Sequence, residues 1–148
     1  MKKKKKNISA KVYFICYNVL DKKEVIFLEV IIRMDLWKEE ELFLSKDNIS
    51  GNFENNQLTF TYDNMEHKIF FSKDEVTFQR ENQEYLFELN IKDVPECTFL
   101  LKETNTKLDI HVERANCTID DQKIEFEYCI ETDDAINGVV ISWQKKEG

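Results

Sequence analysis

Two histidines, four cysteines and several clusters of acidic residues are the side chains through which this sequence could do chemistry. His67 and His111 lie far apart, each alternating with apolar neighbours, and a histidine acting as a general base needs a nucleophile and an orienting carboxylate close by. No motif supplies them, so both histidines read as structural or surface residues. Glu125, Glu127 and Glu131 recur at strand spacing, with Asp109 and His111 on a candidate neighbouring strand. Paired carboxylates can cleave glycosides when burial raises one pKa. Here the alternate residues are the apolar ones, so the acidic set reads as a solvated outer face. The pairs Asp120-Asp121 and Asp133-Asp134 fall where turns are expected, and Asp is a turn residue through its hydrogen bonds to local backbone. A calcium loop needs more oxygen ligands at regular spacing and a glycine at the bend. No catalytic residue and no metal or other cofactor is assigned, and an enzyme is the less favoured reading.

Cys16, Cys97, Cys117 and Cys129 contain no pair separated by two residues, which excludes a zinc ribbon or a dithiol redox motif. They read as reduced thiols, some of them serving as small buried apolar side chains. The run Lys2 to Lys6 precedes a segment interrupted by Lys11, unlike the unbroken apolar core of a signal peptide, and reads as a disordered basic tail over residues 1–7. A cytoplasmic location follows as the expectation, in which case the sequons at Asn7, Asn48 and Asn116 carry no glycan. The net charge of −8 argues against nucleic acid and against anionic membranes, both of which need clustered cations. No apolar run is long enough for a helical span.

The elements that must position these residues are strands. With 148 residues, a hydrophobic fraction of 42%, one proline and three glycines, the chain has enough apolar area for a single core and no linker. One domain is expected over residues 8–148. Period-two alternation marks residues 8–19 and 24–34 as strands. Residues 36–46 follow as another: Trp37 to Glu41 is rich in helix formers, but Leu42, Phe43 and Leu44 fall in a block. A turn is expected over 48–52. Short strands then carry Leu58, Phe60 and Tyr62; His67, Ile69 and Phe71; Val76 and Phe78; and Tyr85, Phe87 and Leu89. Beyond Pro95 lie 97–104, then Thr106, Leu108, Ile110 and Val112, then Ile124, Phe126, Tyr128 and Ile130. An Asn137-Gly138 turn signal precedes Val139, Ile141 and Trp143.

About ten short strands with polar turns and no convincing helix predict an all-β domain, a single antiparallel barrel of about 8–10 strands, closed or nearly so. Closure removes the edges that such aromatic strands would offer for aggregation. Scarce glycine tells mildly against tight curvature.

The C-terminal half resembles the YwiB-like proteins, an uncharacterised calycin-like barrel family of Gram-positive bacteria, a domain of unknown function. The resemblance lies in Cys97-Thr98-Phe99-Leu100-Leu101-Lys102-Glu103-Thr104-Asn105-Thr106-Lys107-Leu108, in Lys123-Ile124-Glu125-Phe126-Glu127-Tyr128 and in Asn137-Gly138-Val139-Val140-Ile141-Ser142-Trp143. The N-terminal half shares the strand order and Arg80 after a Phe-rich strand. Glu96 and Ser45-Lys46-Asp47 depart from the family pattern. The resemblance implies a lipocalin-like barrel with an interior cavity and brings no established activity.

The inward phase carries Phe60, Tyr62, Phe71, Phe78, Tyr85, Phe87, Phe126, Tyr128 and Trp143. These are core residues first. If they leave space, they would line a site for a small apolar ligand. The alternative is an interaction module, a filled barrel whose outer face or edge meets a protein partner or a second copy.

Overall fold

The computed structural model describes residues 27–147. The expected strand over 8–19, Cys16 and the Lys2 to Lys6 run lie outside the described residues. Among the described residues eleven strands follow one another: β1 (Phe27–Lys38), β2 (Glu41–Glu54), β3 (Gln57–Tyr62), β4 (Met65–Phe71), β5 (Val76–Glu81), β6 (Tyr85–Ile91), β7 (Glu96–Leu101), β8 (Thr106–Ile110), β9 (Val112–Asp120), β10 (Lys123–Ile130) and β11 (Asn137–Lys145). They form one antiparallel sheet in the order β8-β7-β6-β5-β4-β3-β2-β1-β11-β10-β9. Only His111 separates β8 from β9, so the two ends of the sheet are consecutive in the chain and meet there. The Glu131 backbone N–H donates to the His111 carbonyl at that junction, 2.9 Å away. The result is the expected all-β, nearly closed barrel, with one or more strands beyond the expected number. Among the described residues no helix is long and apolar enough to cross a membrane.

Alternation decides which side chains enter the barrel. Val30, Ile32 and Met34 of β1, Ile69 and Phe71 of β4, Phe87, Leu89 and Ile91 of β6, and Ile124, Phe126 and Tyr128 of β10 are all buried, while the intervening residues are partly or fully exposed. Aromatic rings then bridge walls that are not neighbours in the sheet. Phe78 of β5 meets Phe126 of β10 with ring centroids 5.0 Å apart, and Phe87 of β6 meets Tyr128 of β10 at 6.3 Å. Toward the other end Phe53, Phe71 and Trp143 form a second cluster, the Phe53 and Trp143 rings stacked at 5.9 Å. Bulky rings thus fill an interior that this many strands would otherwise leave wide.

The hairpins explain how the sheet turns with so little glycine. Asn55-Asn56 and Asp63-Asn64 are two-residue loops in which every residue has positive φ, between 54° and 64°. That backbone pattern matches the twist of the flanking strands, and Asn and Asp tolerate it best after glycine. Gly51 serves a different purpose. A Cβ there would lie 2.6 Å from the Thr59 carbonyl oxygen, so its absence lets β2 and β3 approach beside Ile32.

Several sequence expectations need correction. Residues 48–52 are not a turn. They belong to β2, and a bulge at Asp47 and Asn48 takes up the local irregularity: Ile32 pairs with Ile49, Met34 pairs with Lys46, and Asn48 adopts a φ of 59°. Residues 36–46 are not one strand but the end of β1, a turn at Glu39 and Glu40, and the start of β2. Asn137-Gly138 is not a turn, since both residues open β11 opposite Lys38 and Trp37. Gly138 has no positive φ, and what faces it is Trp37, whose Cβ would sit 3.4 Å from an added methyl. Residues 112–120, which the sequence left unassigned beyond Val112, form β9 and pair along β10.

Candidate functional site

The aromatic filling stops short of one end of the barrel. There β1 and β2 reach their shared hairpin, β5 and β6 meet, and β10 passes toward β11. A cavity of about 270 Å³ opens between these walls. Its apolar part follows from strand phase, because Phe78, Phe87, Tyr128, Ile130 and Val139 are all inward residues at this level, with Leu36 of β1 beside them. Phe43 arrives by a different route. Leu36 pairs with Leu44 but Trp37 pairs with Leu42, which makes Phe43 the extra residue of a bulge and puts it on the rim.

Polar groups enter at three places. Arg80 continues the inward series Val76, Phe78 of β5, and its guanidinium carbon lies 5.2 Å from the Phe87 ring centroid and 5.9 Å from that of Phe78. Its Nε is buried and has no hydrogen-bond partner among the described residues. Beside it, across the β4–β5 pair, is His67. His67 is only 4% exposed and stacks on Phe60 with the ring planes 3° apart and the centroids at 4.7 Å. Burial first, and the Arg80 charge second, push its pKa down from 6.5 to about 4, so the ring is neutral at pH 7. Its Nδ1 lies 3.2 Å from the Met65 carbonyl, which can only accept, so the proton of the neutral ring sits on Nδ1. Burial likewise raises the pKa of Tyr128, against the pull of Arg80, and keeps the phenol protonated.

At the rim, Asp133 is already occupied. Lys38 Nζ is 3.4 Å from its Oδ2, Asn137 Nδ2 donates to the same oxygen at 3.3 Å, and the Ala135 backbone N–H donates to Oδ1 at 3.2 Å. Desolvation would raise the pKa of this carboxyl, but those donors outweigh it and hold the pKa below its ordinary value. The Glu39 carboxylate accepts from the Ile136 N–H at 2.9 Å, and the Ile136 carbonyl accepts from the Glu39 N–H at 2.8 Å. That exchange ties the β1–β2 hairpin to the loop before β11.

Of the nine aromatics expected to face inward, Phe78, Phe87 and Tyr128 line this cavity. Phe60 stacks on His67, Phe71 and Trp143 belong to the cluster toward the other end, and Phe126 packs against Phe78 and Tyr128. Tyr62 and Tyr85 are half-buried, the first beneath Lys46 and the second stacked on Phe99. The acidic constellation is not assembled. Glu125 and Glu127 are exposed and pair with Thr118 and Asn116, Glu131 follows the end of β10, and Asp109 pairs with Thr98 in a different part of the sheet. Among the described residues no group of three or more His, Cys, Asp or Glu is arranged to hold a metal ion. Sequence reasoning missed Arg80 and the Lys38–Asp133 pair as site residues. A charge in phase with Val76 and Phe78 is a signal for Arg80 that the sequence does carry; the meeting of Lys38 with Asp133 has none.

No family model matches the sequence, and no curated protein matches it. Among solved structures the chain is similar to the crystal structure of ywiB protein from Bacillus subtilis, at 7% sequence identity and a TM-score of 0.31, over 84% of this chain and 95% of that one.

Proposed function

We propose that the protein is a binding barrel that holds a small, largely apolar ligand at the mouth between β1, β5, β6, β10 and β11. The observation that carries this reading is the cavity itself: the described residues leave about 270 Å³ at this end of the barrel, walled by Leu36, Phe78, Phe87, Tyr128, Ile130 and Val139. Ligand sites usually measure roughly 300–1,000 Å³, so the ligand is a small one. The reading includes a cytoplasmic setting and kinship with the YwiB-like, calycin-like barrels, the latter resting on the residue pattern of the C-terminal half. Native mass spectrometry of the purified full chain tests it. A reproducible excess of mass, lost on denaturation, supports a resident ligand; a bare mass that also fails to take up added N-phenyl-1-naphthylamine, a small neutral apolar probe, overturns the reading.

A second reading, an interaction module, is favoured by a different observation. Trp37, Leu42 and Phe43 cluster on the β1–β2 hairpin and are 38%, 49% and 74% exposed. Apolar side chains grouped in this way suit a protein partner or a second copy. A dimer in the same spectrum supports this reading, and loss of the dimer on Phe43→Ser ties it to the hairpin.

A further inference from the structure

We propose that the mouth cavity selects an organic anion, with a carboxylate held by the guanidinium of Arg80 and the hydrocarbon body lying against Phe78, Phe87 and Tyr128. This rests on the binding-barrel reading and specifies its ligand. An arginine pointing into an apolar wall is costly unless its charge and its N–H groups are satisfied. Around Arg80, which is partly exposed, they are satisfied only in part. Among the described residues no carboxylate lies within ion-pair distance of it, and its Nε has no acceptor. The faces of Phe78 and Phe87 offset part of the charge, but a ring offers the Nε–H far less than a carbonyl or carboxylate oxygen would.

Nor do the neighbours offer a negative charge. His67 is neutral at pH 7, Tyr128 is a protonated phenol, and Asp133 is engaged by Lys38, Asn137 and the Ala135 N–H. Among the described residues the charges lining the cavity are therefore Lys38 and Arg80 against Asp133, which leaves one positive charge over. A guanidinium presents its Nε–H and an Nη–H side by side, the geometry that a carboxylate accepts with both oxygens. A bound carboxylate would supply the missing acceptor, whereas a neutral ligand of the same length would leave Nε as it is.

The test uses the full chain and three compounds: N-phenyl-1-naphthylamine as a neutral fluorescent reporter of the cavity, and octanoate and octanol as competitors of equal chain length. The expected result is that the reporter binds and that octanoate displaces it at a concentration about tenfold or more below that of octanol, since a charge-assisted pair is made only with the acid. Arg80→Gln should bind the reporter but bring the two competitors together, and Arg80→Lys, which keeps a charge without the fork, should fall between. Equal competition by octanoate and octanol in the unaltered protein, with the reporter bound, overturns the anion inference and leaves the binding barrel standing. Failure of the reporter to bind removes both. Should Arg80→Gln lose its β-sheet circular dichroism, the octanoate to octanol ratio of the unaltered protein and the Arg80→Lys variant decide the matter.

Discussion

His67 is buried against Phe60, neutral in the fold, and able to take up a proton once the chain unfolds, so acid should weaken this protein through that ring. The sign follows from proton uptake. With a folded pKa of about 4 against 6.5 in the unfolded chain, the unfolded state binds more protons between those values, and stability falls as the pH falls. The contribution is fully present above pH 6.5 and is lost progressively toward pH 4. By the linkage relation, the loss between pH 8 and pH 5 is about 2 kcal/mol. Other groups also titrate in this range, so the assay is a comparison: urea unfolding of the unaltered protein and of His67→Phe, a substitution that keeps an aromatic ring beside Phe60, at matched pH values from 8 to 5. The difference in unfolding free energy between the two proteins should shift by about 2 kcal/mol in favour of the variant across that range. A difference that stays constant with pH would refute the reasoning, as would an imidazole resonance of His67 that titrates near 6.5 in the folded protein.

Further tests address the packing. Gly51→Ala should destabilise by about 1–3 kcal/mol in urea melts, because the new methyl meets the Thr59 backbone carbonyl, which cannot move without disturbing the β2–β3 ladder. Gly138→Ala, whose methyl would make an ordinary contact with Trp37, should be close to neutral in the same assay. Truncating Ile69, which is fully buried on β4, to alanine should cost about 2–5 kcal/mol, and an unchanged denaturation midpoint would contradict the assigned phase of that strand. Cys97 is buried, and burial raises its thiol pKa to about 11. It should react with a disulfide reagent at pH 8 only as fast as the protein opens, and prompt labelling of Cys97 in the native state would show that β7 is not packed as described.

Much of the barrel was legible because β3 to β6 and β10 each put apolar residues at every second position, as in Leu58, Phe60 and Tyr62, and that pattern admits one inward face. β9 was hidden because Ala115 and Cys117, which pack on the core, are small and sit among Glu113, Arg114 and Asn116. The Asn137-Gly138 pair reads as a turn by propensity. Its glycine instead answers to Trp37, a contact made across β1 and β11 by residues distant in the chain. Asn48 misleads in the same way, since the left-handed backbone that favours a turn also serves a bulge. As for the site, the aromatic face was readable and the gap within it was not. Whether rings from opposite walls meet, as Phe78 and Phe126 do, or stand apart depends on how the sheet closes, which strand phase leaves open. That Arg80 Nε finds no acceptor among the described residues is likewise a property of the assembled mouth, where Lys38 has taken Asp133.

Backbone amide chemical-shift mapping on the isotopically labelled full chain, with octanoate added stepwise, tests the mouth site most directly. The largest shifts should gather at Phe78, Arg80, Phe87, Tyr128 and Val139, saturate together, and leave the Phe53, Phe71 and Trp143 cluster unmoved. Shifts centred on that far cluster or on the outer face, or none at all with the reporter also failing to bind, would contradict a ligand site at this end of the barrel.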